Sequence, residues 1–131
     1  MVDTTKSQPI ILIVEDTIDF AEMTMRILER IGIHAFHTMT APEAIDFIGQ
    51  QCPDLILLDL NLPGQSGWEV LKHLNDSHID RHVPVIVTSA YSDSANRLVG
   101  KLQNVYKYMI KPFPPQDLMQ TVREVLNLEE A

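Results

Sequence analysis

Five side chains suited to cation binding and phosphoryl chemistry follow four apolar runs. Glu15 and Asp16 come after Ile10 to Val14, Asp59 after Leu55 to Leu58, Ser89 after the run beginning at Val83, and Lys111 after Lys107 to Ile110. Singly, each has an ordinary explanation: an acidic residue at such a place is commonly a turn former or helix cap, Ser89 can cap a helix, and Lys111 before Pro112 can be a solvated loop residue. Together they point to chemistry. Three carboxylates in one pocket repel one another and stay ionised only if a cation or proton compensates. A hard divalent ion fits all-oxygen donors. Magnesium keeps several waters and is held by one or two carboxylates, which leaves room for a phosphoryl group, and manganese can substitute. The Asp59 carboxylate is then an oxygen nucleophile able to form an acyl phosphate. Lys111 and the metal neutralise charge on the transferring group, and the Ser89 hydroxyl donates to one of its oxygens.

Convergence of these residues requires an element order that brings the ends of the apolar runs together. With Ala35 to Thr38, five strand-length runs alternate with amphipathic stretches, which predicts an α/β domain with a doubly wound, five-stranded parallel sheet covered by helices. The runs at 10–14, 55–58 and 83–88 are almost continuously Val, Ile and Leu, as in strands buried on both faces. Phe20, Met23, Ile27 and Ile31 form one helical stripe, Ala44, Ile45 and Ile48 a second, and Val70, Leu71 and Leu74 a third. Thr40 with Glu43 has the form of a capping box, and Gly32 stands where a left-handed residue closes the first helix. Pro114 and Pro115 suit the first turn of a last helix running through Leu118, Val122, Val125 and Leu126. A further helix is expected over about Ser94 to Leu102, interrupted by Gly100. Ligands of an open parallel sheet bind beyond the carboxyl ends of its strands, where the winding reverses, and all five polar residues fall there.

The bulk properties limit the alternatives. A chain of 131 residues suits one domain burying roughly two-thirds of its unfolded surface. With 45% hydrophobic and 21% charged residues, it has a globular composition. No apolar run nears the ~20 residues of a membrane span, and residues 1–8 lack an apolar signal-peptide stretch. The net charge of −8 and the absence of a Lys/Arg stripe speak against direct nucleic-acid binding. One cysteine, Cys52, is expected to be a small packed side chain and suits a reducing, cytoplasmic compartment. His73, His78 and His82 read as a solvated helix and loop, not as zinc ligands.

The segments ILIVED at 11–16, DLNLPGQSGWEVL at 59–71, VIVTSA at 85–90 and YMIKPF at 108–113 resemble response-regulator receiver domains of two-component systems. The intervals agree too: 43 residues from Asp16 to Asp59, 30 to Ser89 and 22 to Lys111. The resemblance covers residues 9–128, with tails at 1–8 and 129–131, and implies a flavodoxin-like (βα)5 receiver fold. It makes Asp59 the phosphorylated aspartate. Glu15 and Asp16 become the acidic pair, Glu15 often acting through water, and the Asn61 backbone carbonyl a further metal ligand. It also makes Ser89 the hydroxyl that senses the phosphoryl group, Lys111 its partner, Tyr108 the aromatic that changes rotamer, and Pro112 the residue after a cis peptide. The implied donor is a phosphohistidine of a sensor histidine kinase or histidine phosphotransfer protein. An unidentified output partner would use the face around residues 94–126, and the protein would be a monomer or a weak phosphorylation-dependent dimer. Where the family often has an Ala/Gly-rich turn, this chain has Leu102, Gln103, Asn104 and Val105, which alters that output face. Nothing but Leu128 to Ala131 follows the last helix, so an output domain is not expected within the chain.

Three other functions fit less well. A haloacid-dehalogenase-type phosphatase wants a second acid two residues after its nucleophile, where Asn61 cannot serve, and a cap domain. A receiver used only for binding would lack a phosphorylation residue, and none is missing. A flavin domain would want a phosphate-cradling loop after the first strand, where Glu15 and Asp16 repel phosphate. The expectation is therefore a switch whose only chemistry is its own phosphorylation and dephosphorylation. Lys111 is expected to contact only the added phosphoryl group. Met23 is expected in the core and Met25 at the surface, with Trp68 a surface packing residue and Tyr106 packing on an edge strand.

Overall fold

The three Val/Ile/Leu-rich runs become strands in which every residue is buried: β1 (Ile11–Val14), β3 (Leu55–Asp59) and β4 (Val85–Ser89). Interrupted burial patterns mark β2 (Ala35–Thr38) and β5 (Val105–Ile110) as the edges of one parallel sheet of order β2-β1-β3-β4-β5. The computed structural model describes residues 8–60, 67–76, 83–90 and 105–127. Four helices lie among them: α1 (Ile18–Glu29), α2 (Ala41–Gln50), α3 (Trp68–Asp76) and α4 (Pro115–Leu126). The predicted helix at 94–102, both tails beyond residue 8 and residue 127, and His78 and His82 lie outside the described residues.

Side-chain alternation along the strands divides the core into two layers. Leu12, Val14, Ile56, Leu58, Val85 and Val87 pack with Ala41, Ala44, Ile48, Val70 and Leu71 of α2 and α3. Ile11, Ile13, Leu55, Leu57 and Ile86 face the other way, onto Ala21, Ile27, Leu28, Leu118 and Val122 of α1 and α4. Because β1 lies between β2 and β3, the winding reverses beside its carboxyl end, which opens the crevice where ligands of such sheets bind.

Local signals set most of the boundaries. Thr40 caps α2, its Oγ1 accepting the Glu43 N–H at 3.2 Å, while Glu43 Oε1 accepts from the N–H of Met39 at 2.8 Å. Gly32, at φ +80°, closes α1 as expected, and Pro115 occupies the first turn of α4. The inward stripe of α1 is displaced from the predicted one: Ala21, Thr24, Ile27 and Leu28 are buried, whereas Met23 is 43% exposed and Phe20 is half-buried. Met25, expected at the surface, packs against the core. Two stripes one residue apart share the same period, and the sheet selects the one with small Ala21 and Thr24, whose hydroxyl is satisfied by the Phe20 carbonyl at 2.8 Å. Trp68 opens α3, half-buried against the α2–α3 layer, and Cys52 packs on the same layer. Tyr106, 50% exposed, donates its hydroxyl to Glu124 Oε1 at 3.4 Å across the edge.

Candidate functional site

The strand ends converge. Glu15, the residue after β1, stays tied to β2 because its N–H donates to the Thr38 carbonyl at 3.0 Å. Asp59 is the last residue of β3 and Ser89 the last of β4, and both are buried. Lys111 follows β5, its N–H donating to the Ser89 carbonyl at 2.7 Å, and the expected cis peptide joins it to Pro112. Carboxylate oxygens of Glu15, Asp16 and Asp59 lie within 4.8 Å of one another. Lys111 Nζ reaches 2.8 Å from Glu15 Oε1 and 3.3 Å from Asp59 Oδ2. Tyr108, half-buried on β5, pairs with Val87 of β4 and packs on the α2–α3 layer. Asn61 lies outside the described residues.

Lys111 therefore does not wait for an added phosphoryl group, as expected from sequence; it already bridges two of the three acids. Their mutual repulsion in a low-dielectric pocket draws in the nearest ammonium. Burial pushes the Glu15 carboxyl above its ordinary 4.5; the hydrogen bond from Lys111 pulls the other way, and the negative charge of Asp59 adds to the rise. Three acids against one ammonium among the described residues leave an excess of negative charge. The donors are hard oxygens, two of the acids are almost completely enclosed, and the set suits a hard divalent cation.

Sequence reading passed over the supports of this pocket. His37 on β2 places its Nε2 2.7 Å from the Glu15 carbonyl oxygen, and the Thr17 N–H donates to Glu15 Oε2 at 3.2 Å. The ring of Phe20 lies under Lys111, with Nζ 4.4 Å from its centroid. A Cβ on Gly67 would stand 2.5 Å from the Asp59 carbonyl oxygen and 2.8 Å from Leu60 Cα, so only glycine lets the start of α3 close on the end of β3. Gly67 sits within the segment singled out in the sequence and was within reach of inspection; His37 and Phe20 carry no local signal.

The family profile described as response regulator receiver domain matches residues 11–123. The chain belongs to that family. It is 34% identical over 116 residues to the phosphate regulon transcriptional regulatory protein PhoB of Escherichia coli (strain K12), a match covering 88% of this chain and 51% of that protein. It is 32% identical over 120 residues to the DNA-binding response regulator MtrA of Mycolicibacterium smegmatis, covering 92% of this chain and 51% of that protein. Among solved structures, a CheY-like response regulator receiver domain protein from Methanospirillum hungatei JF-1 superimposes with a TM-score of 0.82 at 29% identity, covering 92% of this chain and 95% of that one. The receiver thus spans about half the length of the curated relatives it matches. Its role is that of a phosphoacceptor receiver in two-component signalling. Among the described residues no helix is long and apolar enough to cross a membrane.

Proposed function

We propose that Asp59 is the phosphoacceptor, taking its group from a phosphohistidine of a sensor histidine kinase or histidine phosphotransfer protein. A divalent cation, Mg2+ or Mn2+, would be held by Glu15, Asp16 and Asp59, with the Asn61 backbone carbonyl as the further ligand that the family resemblance implies. An Asp59 carboxylate oxygen forms the new O–P bond as the P–N bond breaks, and its electron pair returns to the donor imidazole, which takes up a proton. When bound, the cation supplies positive charge to the oxygens of the transferring group. Lys111 adds to that charge from a position already against Asp59, and the Ser89 hydroxyl donates to a phosphoryl oxygen. Displacement of Ser89 toward the new group then lets Tyr108 turn inward, changing the face around residues 94–126 that meets the output partner. The protein is a switch, not a catalyst for other substrates. It acts in the cytoplasm as a monomer or a weak phosphorylation-dependent dimer, and does not itself contact nucleic acid or membrane.

The observation supporting this reading most strongly is the placement of Asp59 at the tip of the central strand, with Glu15, Asp16 and Lys111 around it. Incubation with Mg2+ and a small phosphodonor such as acetyl phosphate is expected to add one phosphoryl group, seen by mass spectrometry, and Asp59→Asn is expected to remove the adduct. A single stable adduct that persists in Asp59→Asn moves the acceptor elsewhere.

A further inference from the structure

Phe20 shares the face of α1 that carries the buried Thr24 and Ile27 but is itself only half-buried, and its ring makes a contact beyond core packing. Its ring centroid is 4.4 Å from Lys111 Nζ, well inside the distance at which a ring face attracts an ammonium. Lys111 has three N–H donors; Glu15 Oε1 at 2.8 Å and Asp59 Oδ2 at 3.3 Å each take one. The Lys111 side chain is 18% exposed, so the ring replaces much of the water that would otherwise solvate the charge. Phe113, two residues past Lys111, meets the Phe20 ring at 5.7 Å with the planes at 88°, an edge-to-face arrangement that fixes the ring. Phe113 in turn packs against the α1–α4 core layer.

We infer that Phe20, braced by Phe113, is a positioning residue that clamps the Lys111 ammonium between Glu15 and Asp59 and thereby sets how readily a divalent cation enters the pocket. The inference rests on the metal reading above. In the metal-free pocket the ammonium screens the two acids from each other, and an incoming cation must compete with it for the same oxygens. Leucine at position 20 would cover a similar area of α1 but has no ring face to hold a charge. The freed ammonium then competes less well, and the cation binds more tightly.

The test is Mg2+ titration of the whole protein, followed by backbone amide shifts, for wild type, Phe20→Leu, Phe20→Tyr, Lys111→Met and the double variant Phe20→Leu/Lys111→Met, with thermal melts to confirm folding. Phe20→Leu is expected to lower the Mg2+ Kd by about 3- to 10-fold, from the usual strength of a partly desolvated cation–π contact. Phe20→Tyr, which keeps the ring, is expected to restore wild-type affinity. In the Lys111→Met background the Phe20→Leu effect is expected to vanish, because the coupling runs through the ammonium. In metal-free wild type the Lys111 ε-methylene protons are expected to be shifted upfield by the ring and to lose that shift in Phe20→Leu. An unchanged Kd in Phe20→Leu, or an equal change with Lys111 absent, overturns the inference alone. Failure of wild type to bind Mg2+ at all overturns the metal reading and the inference with it.

Discussion

At the scale of single residues, the titration of Glu15 ties the pocket to stability. Burial raises its carboxyl above 4.5, with Asp59 adding to the rise, so the folded protein holds that proton more tightly than the unfolded chain does. Its contribution to stability is complete below the unfolded value and is lost as pH rises through the raised folded one. In chelator, wild type is expected to lose stability relative to Glu15→Gln as pH climbs through that window, measured as the difference in urea midpoints. A relative gain would contradict the sign. Mg2+ needs the ionised acid, so its affinity is expected to fall as pH drops through the same window. Lys111→Met removes the ammonium that bridges two buried acids. Losing one partner of a buried ion pair typically costs about 3–5 kcal/mol. That loss is expected in metal-free melts and should shrink at saturating Mg2+, while Mg2+ binding is retained. Equal destabilisation with and without Mg2+ would show that the two cations do not share the acids.

At the scale of elements, the junction of β3 and α3 is the tightest constraint on the site. The Gly67 N–H donates to the Leu60 carbonyl at 2.9 Å, and a methyl group there meets backbone at 2.5 and 2.8 Å, which cannot rotate away as a side chain can. Gly67→Ala must displace the end of β3 and with it the Asp59 carboxylate. Overpacking of this kind costs about 1–3 kcal/mol. Slower phosphorylation of Asp59 is expected alongside the lower urea midpoint, and wild-type rates in a destabilised variant would separate the junction from the chemistry. The edge strands obey a different logic from the central ones: β2 and β5 expose Phe36 and Ile110 at 37% and 43%, so their burial patterns are broken. Even so, β2 stands where the sequence placed it, and β5 starts two residues before the expected Lys107.

At the scale of the whole molecule, a phosphoryl group on Asp59 can influence β5 because β4 and β5 are locked together. Ser89 pairs with Ile110, Val87 pairs with Tyr108, and the Ser89 carbonyl accepts from the Lys111 N–H at 2.7 Å. A ligand shifts an equilibrium only through contacts that differ between its states, and moving from 1:99 to 99:1 takes ~5.5 kcal/mol of differential stabilisation. Ser89 and Lys111 are the residues placed to supply it. With a beryllofluoride mimic on Asp59, crystal or solution structures are expected to show the Ser89 hydroxyl drawn toward Asp59 and Tyr108 turned inward. Both side chains unmoved would sink the coupling and leave the phosphorylation chemistry standing.

Sequence by itself determined the parallel α/β fold and the identity of the acids, because both are written in local patterns. Continuous Val/Ile/Leu runs mark strands covered on both faces, Thr40, Gly32 and Pro115 mark helix ends through their own backbone chemistry, and Glu15, Asp16, Asp59, Ser89 and Lys111 all stand where apolar runs stop. Only the tertiary structure decided which of two overlapping stripes of α1 faces the sheet, because period alone does not distinguish Met23 from Met25; the close approach of Ala21 and Thr24 does. Only the fold could show that Lys111 bridges Glu15 and Asp59, with Phe20 beneath it and His37 holding the Glu15 backbone. Those contacts join residues as many as 96 positions apart, and their energies depend on burial and charge that exist only once the strand ends have been brought together.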